Sequence, residues 1–247
     1  MAYEYNVNIN GIDVSASYSD ESVNGIFIPL LRRLTAMQEA AGRRILVFLA
    51  APPGTGKSTL CSFLGHLAET TDKVAPVSII GMDGFHRRQE YLLTHYAEVD
   101  GREVKMVDIK GNPITFDVPK FESKIREVVA GGKVKWPQYD RMLHDPVEDV
   151  IEVTGDIVIL EGNYLLLDLP EWNDLRKYAD YSVCIRAELD DLRPRLVDRK
   201  AASGTPREKA EAFVESSDLR NAKICNEHSV GADMVLTMKP DGEYVMA

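Results

Sequence analysis

Apolar positions along this 247-residue chain fall into three kinds of pattern. Near the N-terminus they alternate with polar ones. In "YNVNINGIDVSASYS" the alternation surrounds Asn10-Gly11, a dipeptide that favours a tight type I′ turn, so Tyr5 to Ser17 is predicted to form a β-hairpin. Through 22–41, Ile26, Leu30, Leu31, Leu34 and Met37 then recur at helical spacing, with Pro29 marking a start for the helix. Beyond residue 44 the apolar residues gather into short, nearly continuous runs at 45–50, 77–82, 156–162, 181–185 and 233–238, as strands buried on both faces require. Helical patterns fall at 57–69, 118–130, 188–202 and 206–228. Strands alternating with helices predict an α/β fold, a parallel sheet flanked by helices.

No repeat, low-complexity segment or linker divides the chain. Residues 1–42 are therefore expected to be an N-terminal extension (a cap, a subunit contact or a plain structural addition) on one domain spanning 43–247. The length suits one sizeable α/β domain.

Charge narrows the partners. With 39 acidic against 29 basic residues the formal net charge is −10, which repels a polyphosphate backbone and argues against nucleic acid. Cys61, Cys184 and Cys225 have neither metal-ligand nor redox-motif spacing and are expected to be reduced, buried thiols of a cytoplasmic protein. "MAYEYNVNING" lacks the basic start and apolar run of a signal peptide. No run approaches the ~20 apolar residues of a membrane span.

The chemistry begins after the first buried strand. Residues 51–58 read "APPGTGKS", the pattern G-x-x-x-x-G-K-[ST] with Ala51 in place of its first glycine. Strand, glycine-rich turn and helix follow in the order that a phosphate cradle needs: turn N–H groups face phosphate oxygens, and the new helix adds its positive end. Pro53, Gly54, Thr55, Gly56, Lys57, Ser58 and Thr59 are the expected nucleotide contacts. Lys57 reaches the β/γ-phosphates, and the Ser58 hydroxyl binds Mg²⁺. Ala51 costs on the order of 1 kcal/mol if its φ must be positive, and less otherwise.

The second strand ends "SIIGMDGFHRR", placing Asp83 at a strand's carboxyl end, where ligands bind in such sheets. Asp83 is a candidate base for a substrate hydroxyl, and Phe85 and His86 are candidate walls of the acceptor pocket. The third strand ends "VILEG": four apolar or aliphatic positions leading to an acid, Glu161, which holds Mg²⁺ through a water or touches the substrate. The guanine-reading string N-K-x-D is absent, and "DIKG" at 108–111 does not close a buried strand, so no GTPase signature stands.

Together these segments resemble the P-loop kinases related to pantothenate kinase, uridine kinase and phosphoribulokinase, over most of the chain from Arg44 to Met238. "MDGFH" is similar to the segment with that family's catalytic aspartate, which implies the base role for Asp83. "WPQYDRMLHDPVED" resembles a loop contributing to the acceptor site and implies Tyr139, Asp140 and His144 there. "LRPRLVDRK" stands where the family has an arginine-bearing lid, about residues 190–210, and implies that Arg195 and Arg199 act on ATP phosphates. Asn221, on a late helix beside Asp218, is either an acceptor contact or simply solvated. The resemblance implies a P-loop NTPase fold with five parallel strands in the order 2-3-1-4-5. It implies transfer of the γ-phosphate from ATP, with Mg²⁺, to a hydroxyl of a small metabolite, a sugar or polyol foremost. Pantothenate, a nucleoside, or an ATPase or GTPase acting on a protein partner are the alternatives. A homodimer is compatible with the resemblance, and ATP over GTP stays open.

Overall fold

The structure, a computed structural model, describes residues 2–9, 11–99 and 101–247. Asn10 lies outside the described residues, and with it the turn type expected at Asn10-Gly11. The flanking strands β1 (Ala2–Ile9) and β2 (Ile12–Ser19) pair antiparallel, with Tyr5 opposite Ala16, and form a two-stranded sheet of their own.

The helix that follows starts earlier than Pro29. α1 (Asp20–Ser22) passes through a π turn, Val23–Phe27, into α2 (Ile28–Ala41). Ser19 caps the start by accepting from the Ser22 N–H. Proline inside a helix has no N–H to give and crowds the preceding turn. Here the wider π turn precedes Pro29, and the Ile28 N–H reaches back to the Val23 carbonyl.

The remaining elements are β3 (Ile45–Ala50), α3 (Lys57–Thr70), β4 (Val77–Gly81), α4 (Gln89–Thr94), β5 (Tyr96–Val99), β6 (Arg102–Lys105), α5 (Val118–Ala130), β7 (Val134–Asp140), β8 (Asp145–Val153), β9 (Ile157–Gly162), β10 (Tyr181–Arg186), α6 (Leu189–Ala202), α7 (Arg207–Phe213), α8 (Leu219–His228), β11 (Met234–Met238) and β12 (Tyr244–Met246). A second π turn, Val214–Asp218, joins α7 to α8. The central sheet runs β4-β9-β3-β10-β11 in parallel, and β12 adds an antiparallel strand outside β11.

Alternation along β3 sorts the core into two clusters. Ile45, Val47 and Leu49 pack with Leu31, Leu34, Leu60, Phe63 and Leu196, while Leu46, Phe48 and Ala50 pack with Phe121, Trp136, Tyr164 and Trp172. Each strand of this kind is apolar throughout because both faces are covered.

Helix α4, the hairpins β5–β6 and β7–β8, and strand β12 lie outside the sequence reading. In β7 the two-residue period is broken by Pro137 and by a register shift between Trp136 and Gln138. No helix among the described residues is long and apolar enough to cross a membrane. All three cysteines are buried and free.

Candidate active site

The phosphate loop leaves the end of β3, and α3 begins at Lys57. Ala51 carries no positive φ, its N–H donates to the Gly162 carbonyl at 3.2 Å, and its methyl group is buried in the core. Alanine is thus unstrained there. Gly54 is different: its φ is +89°, and a Cβ would stand 2.9 Å from Cγ of Leu196 on α6. Thr55 is wholly buried. Its hydroxyl donates to the Pro52 carbonyl at 2.9 Å, so it stiffens the loop from within. The Thr55 carbonyl accepts from the Tyr244 hydroxyl at 2.6 Å, which pins the loop from β12. Pro53 is buried and Thr59 is half-buried in the first turn of α3.

Ser58 and Glu161 meet: the serine hydroxyl donates to the glutamate Oε1 at 2.9 Å. Withdrawal from water raises the Glu161 carboxyl, Lys57 opposes that, and the neighbouring charge of Asp83 adds to it. A hydroxyl and a carboxylate with a cation deficit are hard oxygen donors, a set that fits Mg²⁺.

Asp83 sits in a 3₁₀ turn, Met82–Phe85, directly after β4. The turn is wedged under β7, where a Cβ on Gly84 would come within 2.3 Å of the Pro137 carbonyl oxygen. Trp136 donates its indole N–H to the Gly81 carbonyl at 2.8 Å and closes the other end. This turn sends neighbouring side chains opposite ways. Asp83 opens into a cavity. Phe85, expected to line the acceptor pocket, is buried in the core with ring centroids 4.7 Å from Phe121 and 4.9 Å from Trp136. His86 stacks on Phe116 at 4.0 Å and meets Tyr139 edge-on at 5.2 Å, and its Nδ1 is buried without a partner among the described residues. Loss of solvent contact pushes the imidazole down to about 4. It is neutral at physiological pH.

The cavity measures about 900 Å³. Ser58, Glu161, Asp83, Tyr139 and Asp140 all line it. Burial pushes the Tyr139 hydroxyl up to about 12. The Asp140 carboxylate accepts from the N–H groups of Met142 and Leu143 at 2.8 and 3.0 Å, which shapes the β7–β8 turn. His144 is not brought in: it is exposed at that turn with a φ of +56°, and its carbonyl accepts from Lys110 Nζ at 2.8 Å. The residue that the sequence reading passed over is Arg141. It lines the cavity, and its charge acts on Glu161, His86, Arg199 and Asp218. Its place in "YDR", next to the aspartate, was the available signal.

The two α6 arginines expected to act on ATP phosphates part company. Arg199 pairs with Asp218 at 3.6 Å, and the charges of Asp83 and Arg141 reach it. Arg195 instead donates its Nε–H to the Gly54 carbonyl at 2.9 Å, and its guanidinium lies beside Gly56 and Gly242. Asn221 is buried next to Gly111, whose carbonyl accepts from the Tyr164 hydroxyl at 2.6 Å, and it does not line the cavity.

No family profile matches the chain. Individual proteins do. The chain is 41% identical to the uncharacterized protein YggC of Escherichia coli strain K12, over 96% of its own length and 97% of the relative's. It is 34% identical to the "putative uridine kinase C227.14" of Schizosaccharomyces pombe, over 78% of this chain and 83% of that one. Among solved structures, a "putative fructose transport system kinase" from Silicibacter sp. TM1040 superposes with a TM-score of 0.70 at 30% identity, covering 82% of this chain and 98% of that one. On this likeness, and with the phosphate loop, Asp83 and Glu161 gathered at one end of the parallel sheet, the chain belongs to the P-loop small-molecule kinases of the uridine kinase, pantothenate kinase and phosphoribulokinase kind.

Proposed function

We propose that this kinase transfers the γ-phosphoryl group of ATP to a hydroxyl of a small neutral polyol, a sugar or sugar-like molecule. One observation carries the reading: the Asp83 carboxylate opens into the same cavity as Ser58 of the phosphate loop and Glu161 of β9. A base, a phosphate grip and an acceptor space are thereby contiguous.

In this reading residues 43–247 form the kinase domain and 190–210 its lid. Lys57 and the loop N–H groups hold the β/γ-phosphates. Ser58 and Glu161 would hold Mg²⁺, which would supply charge neutralisation for the phosphate oxygens. Asp83 takes the proton of the acceptor hydroxyl as its oxygen attacks the γ-phosphorus, and ADP leaves on the opposite side. Arg199, turned toward the site and released from Asp218, offsets the equatorial charge. Arg195 acts by holding the loop through the Gly54 carbonyl.

Charge around the cavity favours a neutral acceptor. Asp83, Asp140, Glu161 and Glu69 face it against Arg141. Even with Mg²⁺ offsetting Glu161, the remaining field opposes a carboxylate such as pantothenate or a sugar already phosphorylated. A nucleoside, also neutral, is the second reading, and the name of the S. pombe relative supports it. A protein-acting ATPase would instead hydrolyse ATP at full rate with no acceptor present.

The test is ATP consumption across neutral sugars, polyols, nucleosides, sugar acids and pantothenate, with products identified by mass. For the best acceptor, Asp83→Asn is expected to keep ATP affinity and lose transfer by about 10²-fold or more. Turnover near wild type would remove Asp83 from the base role.

A further inference from the structure

On α3, Ser58, Ser62, His66 and Glu69 recur every three or four residues with Gly65 beside His66, so they share one helix face. All five line the cavity that Asp83 opens into. At 1.5 Å per residue, this stripe runs about 16 Å from the Mg²⁺ end to Glu69. The cavity is therefore a trough along the helix, and its far half lies beyond the reach of a single sugar ring seated at Asp83. At about 900 Å³ it lies near the upper end of the roughly 300–1,000 Å³ range of small-molecule sites.

The N-terminal hairpin walls the far half. Tyr5 and Ile9 of β1 face it. Tyr5 is fixed there: its hydroxyl lies 2.8 Å from the Ser62 hydroxyl, and its ring is 5.1 Å from Phe63 and 5.6 Å from His66. Tyr18 of β2 stacks on Phe63 at 4.4 Å, and Ser19 and Ser22 donate to the Glu243 carboxylate beside β12. A two-stranded hairpin is marginal alone, and these contacts hold it in place. The trough is also lined by the apolar Val77 and Ile79 of β4 and Ile151 of β8, with Ile79 against α3 at Gly65, where a Cβ would stand 3.4 Å from its Cγ1.

We infer that the N-terminal hairpin, α3 and β4 form a distal subsite for a second neutral moiety of the acceptor, one with an apolar face and hydrogen-bonding edges, joined to the polyol that receives the phosphate. This inference rests on the kinase reading above and adds the shape of its substrate. A ring fits between Ile9 and the β4 side chains with its polar edge toward His66 and Glu69. Desolvating that ring gives the two-part acceptor its advantage over the bare polyol.

The experiment compares kcat/KM for matched pairs on the wild-type protein: each parent sugar against its aryl glycoside, its disaccharide and its nucleoside. The extended member of at least one pair is expected to win by about tenfold or more. Ile9→Trp, which fills the trough from the hairpin side, is expected to lower the extended-to-parent ratio by a similar factor, with thermal melting checking the fold. If every parent sugar equals or beats its extended partners, the distal subsite is overturned and the kinase reading stands. If Ile9→Trp folds and leaves the ratio unchanged, the hairpin is not its wall. If no member of any pair is phosphorylated, the polyol kinase reading fails, and the distal subsite with it.

Discussion

Gly84→Ala tests how tightly the turn that carries Asp83 is held. The added Cβ would sit 2.3 Å from the Pro137 carbonyl oxygen and 2.6 Å from its carbon, both backbone atoms. Ordinary contact begins at 3.4 Å, so the turn and β7 must separate by about 1.1 Å, the difference of those two distances. Relief is blocked on both sides. The Trp136 indole ties β7 to Gly81, and Phe85 is locked between Phe121 and Trp136. Overpacking of this kind costs about 1–3 kcal/mol, and at about 2–4 °C per kcal/mol for a chain of this size the melting temperature falls by about 2–12 °C. A shift of about 1 Å at Asp83 is also enough to cost about 10²-fold in turnover. ATP affinity should hold, because the phosphate loop lies on the neighbouring α3 side. Differential scanning calorimetry and a coupled ADP assay read the two effects. Gly231→Ala is the control, since its Cβ meets nothing within 4 Å. A Gly84→Ala protein with wild-type melting and wild-type turnover would refute the claim that this contact positions Asp83.

Two further outcomes follow from the same geometry. Tyr244→Phe leaves the buried Thr55 carbonyl without its donor and should cost about 1–3 kcal/mol in chemical denaturation, together with a higher KM for ATP. An unchanged midpoint would mean that β12 does not brace the loop. His86 is held neutral down to about pH 4, whereas the same side chain titrates near its ordinary value of 6.5 when unfolded. Between those values the unfolded chain binds the proton and the folded one does not, so stability falls as pH drops from 6.5 to 4. His86→Gln should flatten that limb of the melting profile, and a profile identical to wild type would place the acid sensitivity elsewhere.

The phosphate loop was legible because everything it needs is local: a buried run, then Gly-Thr-Gly-Lys-Ser at fixed spacing, then a helical period. Asp83 and Glu161 were legible for a related reason, since each terminates an apolar run, and parallel strands end on the same side of the sheet. The π turn before Pro29 was not, because its register depends on how α2 packs and no residue type demands it.

What the order of residues determined by itself is therefore the phosphate grip and the two acids at strand ends, since hydrophobic period and motif spacing act within one element and its immediate neighbours. Tertiary packing alone decided that Phe85 joins the core while Asp83 faces the cavity, because an irregular turn has no period to assign sides. It also sent Arg199 to Asp218 and Arg195 to Gly54, although the two share a helix. Tyr244 reaches Thr55 across 189 positions of sequence, and the hairpin reaches Ser62 across 57. Contacts at such separation depend on where whole elements come to rest, which spacing along the chain does not encode.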